Sequence, residues 1–165
     1  MFGLSTKEKE ERAKETLHLA TKVVLIGGFF HANQADEFGL NEEASACLYT
    51  EVLAHQIYVL IVISNQKLVK RYGWATEFAI GEINKAISNH EIREGFIPGS
   101  IGSLVFQRCF EMDSLSPQER HNGEHYRQSA RKIKEFDSRA DEERIVERLA
   151  TVAREYFDIT VKKFK

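Results

Sequence analysis

The chain has 165 residues, of which 42% are apolar and 29% charged, with a formal net charge of -2. That length suits one domain with a real core and falls short of two, and the composition is that of a globular protein, not a disordered or fibrous one. A slightly acidic chain with only two cysteines, Cys47 and Cys109, at no paired spacing and each in an apolar stretch, excludes a disulfide scaffold and disfavours nucleic acid. Two reduced core thiols are expected.

Met1 to Glu15 is polar, mixed in charge and without the apolar segment of a secretory signal. The most apolar stretches, Leu17 to Phe30 and Val52 to Ile63, are interrupted by Lys22, His55 and Gln56, short of the ~20 residues of a membrane span. The expectation is therefore a cytoplasmic protein without a membrane segment, and a single α-helical domain over 1–165. Residues 1–12 read as a solvated or frayed extension.

Residues 5 to 31 read as a first helix, since Leu17, Ala20, Val24 and His31 recur at helical spacing behind a charged run. Gly27-Gly28 should end it early or let another backbone approach. A connection through Asn33 to Leu40 leads into one long helix over about 41–72, with Asn41 as N-cap and Gly73 as its stop. At its middle lies Ile57-Tyr58-Val59-Leu60-Ile61-Val62-Ile63, apolar on all sides, which must be covered on all sides. The fold expected is thus all-α, a bundle of about five to six helices around this long central helix.

After Gly73, Trp74, Phe78, Ile83 and Ile87 mark a third helix that fades at Ser88-Asn89-His90. Glu91 to Ser103 reads as a long connection, functional or mobile, with Pro98-Gly99 at the centre of a type II turn. Leu104 to Met112 is a short helix, apolar nearly all round and so expected to be buried. Ser116-Pro117-Gln118-Glu119 is a capping box that opens a fifth, largely solvated helix, with Tyr126, Ala130 and Ile133 as its apolar stripe. Ser138-Arg139-Ala140-Asp141 resembles a second capping box, before a last helix whose wide apolar face holds Ile145, Leu149, Val152 and Tyr156.

The residues that bear on function are few. No Lys or Arg occurs between Lys22 and Lys67, whereas Asp36, Glu37, Glu42, Glu43 and Glu51 all fall there, an acidic stretch suited to a basic protein partner. Glu51 and His55 lie four apart on the long helix, to satisfy each other or to face solvent. Arg120, Arg127, Arg131 and Lys134 line one side of the fifth helix, but Glu124 and Glu135 dilute them. A nucleophile elbow and a phosphate-binding glycine loop are absent, and Glu15-Thr16-Leu17-His18 supplies only one of the two Glu-x-x-His motifs a di-iron bundle needs.

His121-Asn122-Gly123-Glu124-His125 places two histidines four apart on one helical face, where they could hold a divalent metal. Its H-x-x-E-H pattern resembles the inverted zinc-protease motif over those five residues, although that family needs a further glutamate and a larger domain. The H-x3-H segment also resembles that of the DinB-like helical-bundle metalloproteins, which add a third histidine from an earlier helix. The resemblance implies a site of His55, His121 and His125 for one divalent metal such as zinc or nickel, with hydrolase or transferase activity. Against it stands the leading reading, a non-enzymatic protein-binding module of the adaptor or immunity kind, with no cofactor. It would act through Asp36, Glu37, Glu42 and Glu43 and through Phe96 and Ile97 of the long loop, self-association being left open.

Overall fold

The structure, a computed structural model, describes residues 5–32, 37–67 and 72–163. Among these there are helices and turns only: α1 (Thr6–Ala32), α2 (Glu42–Lys67), α3 (Ala75–Glu94), α4 (Ser100–Ser114), α5 (Pro117–His121), α6 (Glu124–Phe136) and α7 (Glu142–Lys163). The all-helical expectation holds, with seven helices in place of five or six. The extra one arises at Gly123, whose φ of 74° puts the chain in the left-handed region and splits the expected fifth helix into α5 and α6.

Helix α2 packs against α1, α3, α4, α6 and α7, and its Leu48, Val52, Leu53, Ile57 and Leu60 meet Ile83 and Ile87 of α3, Val105 and Met112 of α4, Ile133 of α6, and Ile145 and Leu149 of α7. The helix is described over 26 residues, Glu42–Lys67; the stretch 68–71 of the expected helix lies outside the described residues. Asn41 caps it as expected, its Oδ1 accepting the Ala44 amide at 2.8 Å. The stretch buried all round is Glu51 to Ile57, not the apolar run itself, where Tyr58, Val59, Ile61 and Val62 are only half-buried. Glu51, His55 and Gln56 therefore sit where the helix is covered on every side. A smaller cluster of Leu17, Ala75 and Ala79, edged by Tyr72, Trp74 and Phe78, joins α1 to α3.

The charged first turns of α1 are largely exposed, and reciprocal bonds between Ser5 and Glu8 cap them. Helix α1 runs on through Gly27 and Gly28, so it does not end early there. At the next corner the long connection is absent as well. Helix α3 continues past His90 to Glu94, Gly95 closes it in the left-handed conformation, and α4 starts at Ser100. The type II turn is present: Gly99 has φ 82° and ψ -4°, and the Ser100 amide bonds to the Ile97 carbonyl at 3.0 Å.

Glu91 makes the corner short. Only 1% exposed, its carboxylate accepts the amides of Gly99 at 2.6 Å, Ile101 at 2.7 Å and Gly102 at 3.0 Å. The free amides at the start of α4 are thereby satisfied by a side chain from the preceding helix. Burial would raise this carboxyl's pKa, but the three amide bonds outweigh it and hold the pKa below the ordinary carboxylate value. Helix α4 itself is amphipathic, with Ile101, Val105, Arg108, Cys109 and Met112 buried while Leu104 and Phe110 are exposed, which corrects the expectation of a helix buried all round.

The Ser116 capping box is formed, Ser116 Oγ accepting from the Glu119 amide and Glu119 from the Ser116 amide. The second one is not. The N-cap of α7 is Asp141, whose Oδ1 accepts the Arg144 amide, because Asp137 closes the preceding turn on the Arg139 amide and guanidinium. Asp137 also accepts the Asn41 amide, which ties the α6–α7 corner to the start of α2.

Replacing Glu91 with Gln should destabilise the fold by about 2–3 kcal/mol at neutral pH, since charge-assisted bonds become neutral ones and one amide loses its acceptor. A depressed folded pKa means that the stabilisation is complete above the ordinary value of 4.5 and is lost as pH falls through the lower folded value. Thermal melts of both proteins should therefore differ at pH 7 and converge in acid. Hydrogen exchange at Gly99, Ile101 and Gly102 should be faster in Glu91→Gln.

Candidate functional site

The polar residues of the buried part of α2 do not satisfy one another. Glu51 and His55 are joined instead by partners from α4 and α6. Arg108 on α4 donates from Nε to Glu51 Oε2 at 2.8 Å, and both side chains are almost wholly buried. Its other N–H groups reach Glu111 Oε2 at 2.9 Å, Gln128 Oε1 at 3.3 Å, the His125 carbonyl at 3.0 Å and Ser129 Oγ at 3.2 Å. The guanidinium thus has all of its donors engaged. Ser129, fully buried on α6, donates its hydroxyl to Glu51 Oε2 and lies 2.8 Å from His55 Nε2. With the hydroxyl proton on Glu51, His55 must donate from Nε2, which assigns its neutral tautomer.

His125, one helical turn before Ser129, stacks beside this network, its ring 5.5 Å from that of His55 and 3.9 Å from that of Tyr126. Burial, followed by the neighbouring His125 and Arg108, drives the His55 pKa well below its ordinary value. Burial, then Arg108, Arg120 and Arg127, brings His125 down to about 4. Both imidazoles are neutral at pH 7.

Ser129 and His55 stand at the separation of a nucleophile and its base. In a working triad the carboxylate would orient the second imidazole nitrogen; here it takes the hydroxyl itself, and no substrate could reach a serine with no exposed surface. The arrangement locks three helices together and holds no reactive group open.

The expected metal site does not assemble. His55 and His125 meet, but His121 ends α5, is exposed and lies beyond the break at Gly123, so the two histidines four apart no longer share one helical face. Among the described residues no three His, Cys, Asp or Glu side chains are grouped to hold a metal ion.

Of the acidic residues expected to meet a partner, Glu37, Glu42 and Glu43 are exposed, Asp36 lies outside the described residues, and Glu51 is withdrawn into the core. The tertiary structure brings cations back to this sequence region: Arg144 of α7 donates to the Glu37 carbonyl and lies over the Phe38 ring. The basic side of α6 is likewise balanced, with Arg127 and Arg131 both on Glu124 and Lys134 on Glu142. Phe96 and Ile97 are exposed. Both cysteines are free, and burial pushes Cys47 to about 11 and Cys109 to about 12, so neither is a thiolate at neutral pH.

Glu42–Val62 is, by length and composition, long and apolar enough to cross a membrane, so the interruptions do not bring it below that threshold; half of it is buried within the bundle. Sequence reasoning missed Arg108 and Ser129. Arg108 carried a signal, being the one cation on the apolar face of α4, which Glu51 on the apolar face of α2 could match. Ser129 carried none.

Comparison with protein-family models, curated proteins and solved structures finds no match to this chain.

Two measurements test this reading of the core. Gln56 is fully buried, and neither its Nε2 nor its Oε1 has a hydrogen-bond partner among the described residues, so Gln56→Met should raise stability by about 1–2 kcal/mol in chemical denaturation. The histidine pKa values, depressed in the folded chain, mean that stability is complete above the ordinary 6.5 and falls as pH drops toward 4. The melting temperature should decline across that window, and less steeply in His125→Gln.

Proposed function

We propose that this chain is a non-enzymatic protein-binding module, of the adaptor or immunity kind, which meets its partner through the corner between α3 and α4 and the acidic start of α2. The corner carries the reading. Ile92, Phe96 and Ile97 are 69%, 46% and 78% exposed, and the backbone that presents them is pinned from beneath by the Glu91 carboxylate. Exposed apolar side chains on a fixed frame are what an interface needs, since little order has to be gained on binding. Glu42 and Glu43 are exposed and make no ion pair among the described residues, which suits a partner bearing Lys or Arg.

Affinity capture from the source cell should recover one stoichiometric protein. Its yield should fall at least about tenfold with Phe96→Ser/Ile97→Ser, the loss of two apolar anchors, and become less salt-sensitive with Glu42→Lys/Glu43→Lys. Recovery of no such protein, or a yield indifferent to both variants when their melting temperatures match the parent's, would overturn the reading.

A further inference from the structure

Helices α4 and α6 straddle the first turns of α2 and leave between them a groove of about 440 Å3. Its floor is the small-residue face Ala46, Cys47 and Thr50, and its flanks are Leu104 and Phe136, each about half exposed. The two ends differ. At the level of Glu51 the walls are bridged, by Arg108 to Gln128, Ser129 and the His125 carbonyl, and by Glu111, which takes both Arg108 and Lys132. Every α4–α6 hydrogen bond among the described residues lies at this closed, polar end. Toward Leu104 and Phe136 the groove is apolar and open. Such a shape excludes a helix lying along it and suits a small molecule with a polar head and an apolar body.

The free valences at the closed end decide which head fits. Arg108 has no donor to spare, since its five bonds exhaust the guanidinium. Lys132 is committed to Glu111 at 2.8 Å. Glu51 is different: Oε2 takes both Arg108 and Ser129, whereas Oε1 receives no hydrogen bond from any described residue, on a side chain that lines the groove and is 4% exposed. The open group is thus a carboxylate oxygen at the bottom of an apolar slot. The lining carries Glu43, Glu51 and Glu111 against Arg108 and Lys132; Glu51 and Glu111 are paired with these two bases, and the exposed Glu43 leaves the groove with one acid in excess.

We propose that this groove is a binding site for a small organic ammonium, an alkyl or aryl amine in its protonated form, with the ammonium on Glu51 Oε1 and the apolar body between Leu104 and Phe136. A hydroxyl of the same size would offer Oε1 only a neutral donor, weaker than the charge-assisted bond of an ammonium, and an anionic head would face the carboxylate directly. The site uses neither Phe96 nor Ile97 and does not depend on the protein-binding reading.

Cys47 on the floor reports occupancy. Its reaction with methyl methanethiolsulfonate, which amines do not consume, can be followed by mass spectrometry at about pH 8.5, where an alkylammonium with a lysine-like pKa of ~10.4 remains charged. The probes are n-hexylammonium chloride, 1-hexanol and sodium hexanoate. Hexylammonium should protect Cys47 saturably, with half-protection at a concentration at least about tenfold below that of hexanol, and hexanoate should not protect, a difference set by the charged bond to Glu51. Ala46→Phe, which fills the floor from an exposed position, should abolish protection while the chain stays folded. Glu51→Gln should erase the preference for the amine over the alcohol; if leaving Arg108 unpaired unfolds it, Ala46→Phe and the three-probe comparison in the parent protein still decide. Equal protection by amine and alcohol, protection by hexanoate, or protection surviving Ala46→Phe would overturn the proposal. So would a dimer that masks Cys47 without any probe and is broken by Ala46→Phe, since the groove would then belong to a second copy.

Discussion

The ion pair between Glu51 and Arg108 is the interaction on which the packing of α2, α4 and α6 depends, because both charges lie where the bundle is driest. Withdrawing two charges from water costs several kcal/mol each, and their attraction offsets this only when every remaining donor and lone pair is also engaged. Arg108 meets that condition in full, through Glu51, Glu111, Gln128, Ser129 and the His125 carbonyl, whereas Glu51 meets it at Oε2 only, through Arg108 and Ser129. The consequence is positional. An apolar contact tolerates sliding, whereas a guanidinium with five fixed acceptors on three helices has one register, so α4 and α6 are placed relative to α2 by hydrogen-bond geometry as well as by shape. The neutral His55 and His125 complete the arrangement by filling the space around Ser129 without adding charge.

A second buried carboxylate solves a different problem by the same chemistry. The amides at the start of α4 have no intrahelical acceptors, and the residue before that helix is Gly99, which offers no side chain to cap them. Glu91 supplies the acceptors from α3, so the turn, the cap and the helix–helix angle are fixed together. This is why a segment rich in Gly and Pro becomes a tight corner, and why Ile92, Phe96 and Ile97 stand out from a rigid base. The two devices lie at opposite ends of the α4 surface, the Glu91 corner at its start and the Arg108 bridge toward its end, and the groove over Ala46 and Cys47 opens between them.

The histidines illustrate how one glycine redirects a reading. His121 and His125 share a face only if the helix between them is continuous. Gly123 adopts a positive φ that other residues rarely accept, and the chain turns there. His125 then belongs to α6 and enters the core beside His55, while His121 stays at the surface. What the H-x3-H spacing promised as a ligand pair is divided between a half-buried packing residue and a solvated one.

The sequence by itself determined the elements whose signals are local. Asn41 and Ser116 cap their helices, Pro98-Gly99 forms its turn, and the helical periodicity of Ile83, Ile87, Ile145 and Leu149 places them in the core, because capping, turn chemistry and amphipathic spacing act within a few residues. Tertiary structure alone decided what depends on groups distant in the chain. Arg144 of α7 beside Glu37 and the withdrawal of Glu51 from the acidic surface follow from partners tens of residues away, and the extension of α3 through Glu91 follows from amides beyond the turn, on the next helix. A buried charge has no signature in its neighbours; its environment is set by which helix arrives opposite, and that was fixed only when Arg108 and Ser129 met it.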